Sequence, residues 1–543
     1  MKYTIRRAYE WLFPDDCCDE NDQKNLIRLD VPRNSSDAIQ LLTDFSWSEL
    51  ETASIEPASA SCEIAGKWFA LLSVWVGQNT GPLGYTAAEG DLLDHVTRKA
   101  PFYVYDPCVP LEDGCCAAFS GRCALYARFD VSGGCPPGEY RFNMRIQSKD
   151  GQEIKFSVLI CVYSVKIPEK ISLRISNWFN LKNIATRHSC ELWSEEFWRM
   201  TEQYAVWMER ARQNCFLLPF DAVNWNEEDG NWIFSFEHAK RLLEIFARHG
   251  MQTLECGPII RQRFLGDDHF CLIGMEHCEA ASHTGLRFIK KYYESLSAFL
   301  KKTGYDEICL FHVADEPFDA SIREYEFLAQ QIRRIIPTAT FIDAVCTSRI
   351  GKYPDIPIPD TKRYEEDQEV FEAIQKEREV WYYTCALPGG QSCNRLLDIP
   401  LLKTRLLYWG GAKYGLSGYL HWGFNCYRPA QDPYQDLCPR FGATREIRYL
   451  PPGDTHLVYP GPTGPYGSVR LEQIRKGVED WALLNQLRSA APKRMREILD
   501  DAIKSFSSVC RTEDFSKVFF QLLMACSKMN GQPHLSHRRP GRL

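Results

Sequence analysis

Three observations predict a multidomain chain in which an N-terminal antiparallel β-sandwich is followed by a (β/α)8 TIM barrel with C-terminal helices. Up to about residue 168, short alternating or apolar runs are punctuated by Gly and Pro and no long amphipathic helix intervenes. From residue 171 the texture changes to apolar runs separated by segments of helical periodicity. The repeats number eight over roughly 250 residues, the usual size of such a barrel. The expected parts are a sandwich at 1–168, a barrel at 169–467, helices packed on it at 468–530, and a disordered tail at 531–543.

The sandwich rests on runs at 68–76, 140–146 and 154–162, with Gly133-Gly134 and Pro136-Pro137-Gly138 between them. Asp150-Gly151 separates the last two and predicts a hairpin turn. In the second part, strands are expected at 173–178, 215–220, 252–256, 307–313, 340–345, 355–358, 380–385 and 418–422. The sixth is short and proline-rich, so a loop competes there. Helices are expected at 195–212, 238–249, 288–302, 322–336, 364–376 and 397–414. No Gly-x-Gly-x-x-Gly follows a strand, so a doubly wound nucleotide-binding sheet lacks support. Beyond the barrel, 469–487 reads as a structural helix with Arg470, Glu472, Arg475, Glu479 and Asp480 in ion-pair reach. Further amphipathic helices are expected at 493–506 and 515–529.

Composition narrows the function. Lys plus Arg at 64 against Asp plus Glu at 71 gives a net charge of -7, which does not fit a nucleic-acid partner. The first ten residues lack an apolar core of signal-peptide length and no uninterrupted apolar run is long enough to span a bilayer, so a cytoplasmic location and no membrane partner are expected. The 22 cysteines include no Cys-x-x-Cys, and most lie in apolar runs where a reduced thiol packs as a small hydrophobe. His269, Cys271, His277, Cys278 and His283 match no common zinc spacing, so no metal and no cofactor is expected. Oligomeric state is open, a homo-oligomer included.

The chemistry centres on Cys309-Leu310-Phe311-His312-Val313-Ala314-Asp315-Glu316-Pro317, an apolar run ending in two adjacent acids. Neighbouring side chains of a regular strand face opposite ways, but at a strand's end both can serve one site. Pro317 cannot donate to a ladder and stops the sheet there. In parallel folds that carboxyl end is where catalytic groups sit. A competing reading makes Asp315 a helix cap and Glu316 a solvated acid. Aromatic and amide groups close the other predicted strands: Trp178 and Asn180 the first, Tyr383 and Thr384 the seventh, Trp422, Asn425 and Tyr427 the eighth. Such a surface suits a sugar, whose C–H face packs on aromatic rings while amides and acids take its hydroxyls. Each ring is equally readable as core packing. Asp454 and Tyr459, in a Gly/Pro-rich loop, are either further sugar contacts or braces.

A retaining glycosidase with its own nucleophile needs a second carboxyl about 5–5.5 Å away, commonly at the end of strand seven. The only acid in the stretch 378–387 around that predicted strand, Glu379, lies at its amino end. Adjacent acids instead suit substrate-assisted cleavage, with Asp315 holding the N–H of a 2-acetamido group and Glu316 serving as acid and base. A loop nucleophile such as Asp221 or Asp454, acting on sugars without that group, is the enzymatic alternative, and a non-catalytic glycan-binding scaffold is the other.

The stretches Phe311–Pro317, Gly418-Tyr419-Leu420-His421-Trp422-Gly423-Phe424-Asn425, 453–461, and 468–472 with 475–481 resemble glycoside hydrolase family 123 and its uncharacterised relatives over about residues 171–484. The resemblance implies a sandwich followed by a barrel, exo-acting N-acetyl-β-galactosaminidase activity, and an oxazoline intermediate. Its tandem Asp-Glu pair falls on Asp315 and Glu316. His312, inside the same motif, joins the substrate-binding candidates. An insert at 261–283 follows the predicted third strand and is expected to overhang the site.

Overall fold

Two facing sheets form first along the chain, and alternation sets their inner faces. In Gly138–Ser148, Phe142, Met144 and Ile146 point inward while Arg141, Asn143 and Arg145 point out. That strand pairs with Glu153–Lys166 through the Asp150-Gly151 turn, where Gly151 takes φ +85°. With Leu26–Arg33 and Leu50–Pro57 they make a four-stranded sheet. It packs on a seven-stranded one ordered Tyr3–Arg7, Ser35–Ser46, Arg122–Val131, Ile64–Val76, Phe102–Pro110, Pro465–Ser468, Tyr459–Pro460, with Leu29, Leu41, Leu125, Ile146 and Val158 in the shared core. Two features depart from a purely local antiparallel sandwich. Leu26–Arg33 runs parallel to Glu153–Lys166. The large sheet also takes its last two strands from the far end of the chain, where Gly467 pairs with Cys108. The computed structural model describes residues 2–18, 25–58, 63–111, 119–264, 266–442 and 447–529. The tail expected at 531–543 lies outside them.

Eight short parallel strands follow: β1 (Arg174–Asn177), β2 (Cys215–Leu218), β3 (Thr253–Cys256), β4 (Cys309–Phe311), β5 (Thr340–Val345), β6 (Ile356–Pro359), β7 (Tyr382–Tyr383) and β8 (Gly418–His421). They form two sheets, β1-β8-β7 and β2-β3-β4-β5-β6. At one seam the Asn214 N–H donates to Ile175 O at 3.4 Å, and at the other Asp360 bridges Tyr383 in parallel register. The proline-rich β6 is a strand because Pro357 needs no donor there; its carbonyl accepts the Trp381 N–H at 3.1 Å.

Helices at Glu195–Arg210, Glu237–Arg248, His283–Thr303, Ile322–Ile335 and Leu402–Tyr414 lie between these strands. Ser194 and Ser282 cap two of them by accepting the N–H groups of Phe197 and Gly285. The helix expected at 364–376 is two pieces, Thr361–Glu366 and Gln368–Gln375, because Asp360 caps an earlier start through the Lys362 and Arg363 N–H groups. Residues 397–401 stay outside the helix that follows, since Asp398 is drawn away to accept from Asn79 and Thr80. The helix Val469–Ala490 is buried around nearly its whole circumference. Its charges are matched from other elements: Arg470 by Asp106, Glu472 by Arg210 and Arg128, Glu479 by Arg212, and Asp480 by Arg405. Such groups survive burial only when paired. Pro492–Ala502 and Thr512–Met529 complete the described chain.

Candidate active site

The backbone at the end of β4 is bent into an unusual shape. Glu316 has φ +51°, a left-handed conformation that a residue with a side chain rarely adopts, followed at once by Pro317. Strain of this kind persists only where the surroundings enforce it. Here Gln262 enforces it, donating to the carbonyls of Asp315 (3.4 Å) and Glu316 (3.0 Å). Gln262 ends the first strand of the 261–283 insert, a three-stranded sheet of Ile260–Gln262, Phe270–Leu272 and Met275–Glu279. The insert buttresses the acidic turn. In it His269 bonds Glu324 at 2.7 Å and Cys271 bonds the Arg261 carbonyl. Among the described residues no group of three or more His, Cys, Asp or Glu is placed to hold a metal ion.

Asp315 and Glu316 are half-buried neighbours whose carboxyls both sit above their ordinary range. Burial pushes Asp315 up to about 8, with the charges of Glu316 and Asp343 adding to it and His312 opposing. Burial also raises Glu316, against the Tyr383 phenol that donates to its Oε1 at 2.8 Å. Near neutrality the pair therefore holds a proton between them.

Beneath the pair lies a charge relay of buried groups. His312 bonds Asp343 through Nδ1 (3.0 Å) and Glu255 through Nε2 (3.2 Å). Burial alone would discharge the imidazole, but these two carboxylates outweigh it and hold His312 up to about 10. Asp343 also accepts from the Tyr325 hydroxyl (2.6 Å) and the Val313 N–H (3.0 Å), which fixes the turn into the acids. Glu255 takes the Trp178 indole N–H at 3.1 Å, and the Trp178 ring meets His312 edge-on at 5.3 Å. Glu255 and Asp343 are the acids that the sequence reading passed over, and Asp360 beyond β6 is a third. Each of the first two is a lone acid inside an otherwise apolar strand, which is a usable signal.

The remaining candidates divide by exposure. Trp178, Trp422 and Tyr383 reach the same end of the strands as the acidic pair, with both tryptophans partly open. Trp422 is fixed by donating to Asp454 Oδ2 at 3.2 Å. Asp454 itself has no exposed surface, and burial pushes its carboxyl up to about 7 against the pull of Arg395 and Trp422. It braces a ring and lacks the access that a sugar contact or a nucleophile needs. Asn425 is equally sealed, since its amide clasps the backbone of Asn180 in both directions, at 2.7 and 3.1 Å. Asn180 caps the helix Leu181–Arg187 through the Asn183 N–H. Tyr427 gives its hydroxyl to Val458 O at 2.6 Å, and Tyr459 gives its own to Asp106 at 2.7 Å, both buried. Asp454, Asn425, Asn180, Tyr427 and Tyr459, all five expected at the sugar, thus spend their polar groups on the chain itself. His312, at 1 % exposure, acts from underneath the pair. Asp221, the other loop acid considered, is paired with Lys182 at 2.9 Å on the surface.

Tandem acids thus stand over a buried charged cluster, flanked by aromatic rings at the carboxyl ends of parallel strands. Residues 178–487 match the family model described as Glycoside hydrolase 123, catalytic domain, which places the protein among the glycoside hydrolases. The chain belongs to glycoside hydrolase family 123. Its fold is similar to a family 123 glycoside hydrolase from Clostridium perfringens studied for glycolipid glycan hydrolysis, with a TM-score of 0.66, 12% identity and 97% of each chain covered. A Bacteroides ovatus GH5 xyloglucanase aligns at a TM-score of 0.31 and 8% identity, covering 88% of this chain and 100% of its own. No curated protein matches the sequence. Among the described residues no helix is long and apolar enough to cross a membrane.

Proposed function

We propose that the protein removes terminal β-linked N-acetylhexosamine, with N-acetylgalactosamine favoured, by a retaining mechanism in which the substrate's own acetamido oxygen is the nucleophile. The eight strands are read as one closed (β/α)8 barrel, its seams at β1–β2 and β6–β7 spanned by the contacts at Asn214 and Asp360. The carrying observation is the content of the site on either side of the sugar. Asp315 and Glu316 stand together at β4, whereas the residue facing them from β7 is Tyr383, a hydrogen-bond donor to Glu316. A carboxylate nucleophile is replaced there by a phenol that holds the acid in place.

The proton economy supports the same roles. Before substrate binds, the pair shares a proton. An acetamido N–H donating to Asp315 stabilises its anion, and hydrogen bonding to the charged form lowers a pKa. The proton then resides on Glu316, ready for the glycosidic oxygen. The acetamido carbonyl oxygen attacks the anomeric carbon as that bond breaks, and its N–H proton passes to the Asp315 carboxylate, giving a neutral oxazoline; the proton returns to nitrogen when the ring is opened. Glu316, now a base, activates the water that opens it. Trp178 and Trp422 supply the apolar walls.

Release of 4-nitrophenol from paired β-GalNAc, β-GlcNAc and β-galactose glycosides tests this. Turnover is expected for an N-acetyl sugar and not for the galactoside, with Glu316→Gln and Asp315→Asn each lowering kcat about 10²–10⁴-fold. Hydrolysis of the galactoside alone would defeat substrate assistance.

A further inference from the structure

The loop that follows β7, whose Tyr383 holds Glu316, is covered by a segment from the sandwich sheets. The connection between Ile64–Val76 and Phe102–Pro110 leaves its sheet and docks on the loop after β7. Asp398, fully buried, receives the Thr80 N–H (2.6 Å), the Thr80 hydroxyl (2.7 Å) and the Asn79 amide (3.2 Å). Further out, the Gly390 N–H donates to Gly81 O (3.2 Å), the Tyr85 N–H to Ala386 O (3.2 Å) and the Thr86 N–H to Tyr449 O (3.0 Å). Gly84 and Gly389 let the two loops touch backbone to backbone; a Cβ on Gly84 would strike the Ala386 carbonyl, and one on Gly389 would strike Gly81 and Gly84.

This clasp delivers Tyr85. The residue has φ +54°, a conformation costly for a tyrosine, and its ring is half-buried. The Arg448 guanidinium lies 5.1 Å over that ring and Phe441 packs at 6.0 Å from it. The Tyr85 backbone bond to Ala386 anchors it three residues beyond Tyr383, whose phenol donates to Glu316.

We propose that Tyr85, backed by Arg448, is a specificity-determining residue that stacks on the group leaving from the scissile oxygen, and that this group is a second sugar ring. The inference rests on Glu316 being the general acid, because the acid that protonates the glycosidic oxygen faces the departing side of the substrate. A pyranose offers an apolar C–H face for the ring that Arg448 backs, whereas a small alcohol offers none. The N-terminal sheets thereby select the substrate that the parallel strands cleave.

The test compares two glycosides of one terminal N-acetylhexosamine, a β-linked disaccharide and the 2,2,2-trifluoroethyl glycoside, on wild type, Tyr85→Ala and Tyr85→Asn. Asn tolerates the left-handed backbone and guards against loop collapse in the Ala variant. Both variants are expected to lose about ten-fold in kcat/KM on the disaccharide, the scale of one stacking contact, and to keep the trifluoroethyl rate. Tyr85→Phe, which retains the ring face, is expected to stay near wild type on both. Equal losses on both substrates, or none on either, would overturn the proposal alone. If Glu316→Gln failed to abolish turnover in the same assay, the acid assignment would fall and the proposal with it.

Discussion

His312 carries a charge that the residues around it are arranged to keep. The unfolded imidazole has a pKa near 6.5, while the folded one is held up to about 10 by Asp343 and Glu255. Between those values the native state binds a proton that the unfolded state has lost, so the contribution of His312 is complete below pH 6.5 and disappears as pH rises through about 10. Asp315 has the same sign in a lower window. Its folded carboxyl, pushed from 3.8 to about 8, keeps a proton that the unfolded chain gives up, and stability falls as pH climbs across that range. Urea unfolding is therefore expected to show declining stability from pH 5 to 9.5, with Asp315→Asn flattening the lower part and His312→Gln the upper. A wild-type curve that rises with pH would contradict this. The two catalytic candidates were legible because paired acids and a proline interrupt an apolar run. Glu255 and Asp343 were not singled out, since what makes a buried acid informative is its partner, and His312 lies 57 and 31 residues away from them.

At the scale of elements, the 261–283 insert turns out to be a support. Sequence position after β3 placed it beside the site, but only the folded chain shows Gln262 reaching the carbonyls under the acids. Gln262→Ala is expected to lower kcat about ten-fold while leaving KM nearly unchanged, because small displacements of a reacting group are expensive and substrate binding is made elsewhere. Steady-state kinetics checks it; a rise in KM at constant kcat would assign the insert to binding instead. Most strands and helices were legible from periodicity, including the proline-rich β6. Two misplaced helix starts share a cause: Asp360 and Asp398 spend their side chains on backbone or distant groups, and such capture leaves no periodic trace; the helix expected at 493–506 instead stops at Ala502, where the strand Ile503–Ser505 begins.

For the molecule as a whole, the sandwich sheets and the parallel strands are joined by buried charge. Arg470 bonds Asp106 at 2.9 Å and also holds the carbonyls of Arg395, Gly453 and His456, while Glu472 pairs with Arg128 and Glu479 pairs with Arg212 and bonds Ser35. Removing one partner of a buried pair costs about 3–5 kcal/mol, and deletion of residues 1–168 removes several at once. A fragment starting at residue 169 is accordingly expected to be insoluble or to lack cooperative thermal unfolding, monitored by circular dichroism. A soluble, active fragment would show the two parts to be independent. The strand Pro465–Ser468, which completes the seven-stranded sheet against Phe102–Pro110, adds a constraint in time. A ribosome releases the early strands long before it makes their partner, and Trp11 likewise waits for the Ile399 carbonyl 388 residues downstream. During that interval an open sheet edge is presented to every other nascent chain nearby, so the order of synthesis sets how long this chain is open to mispairing.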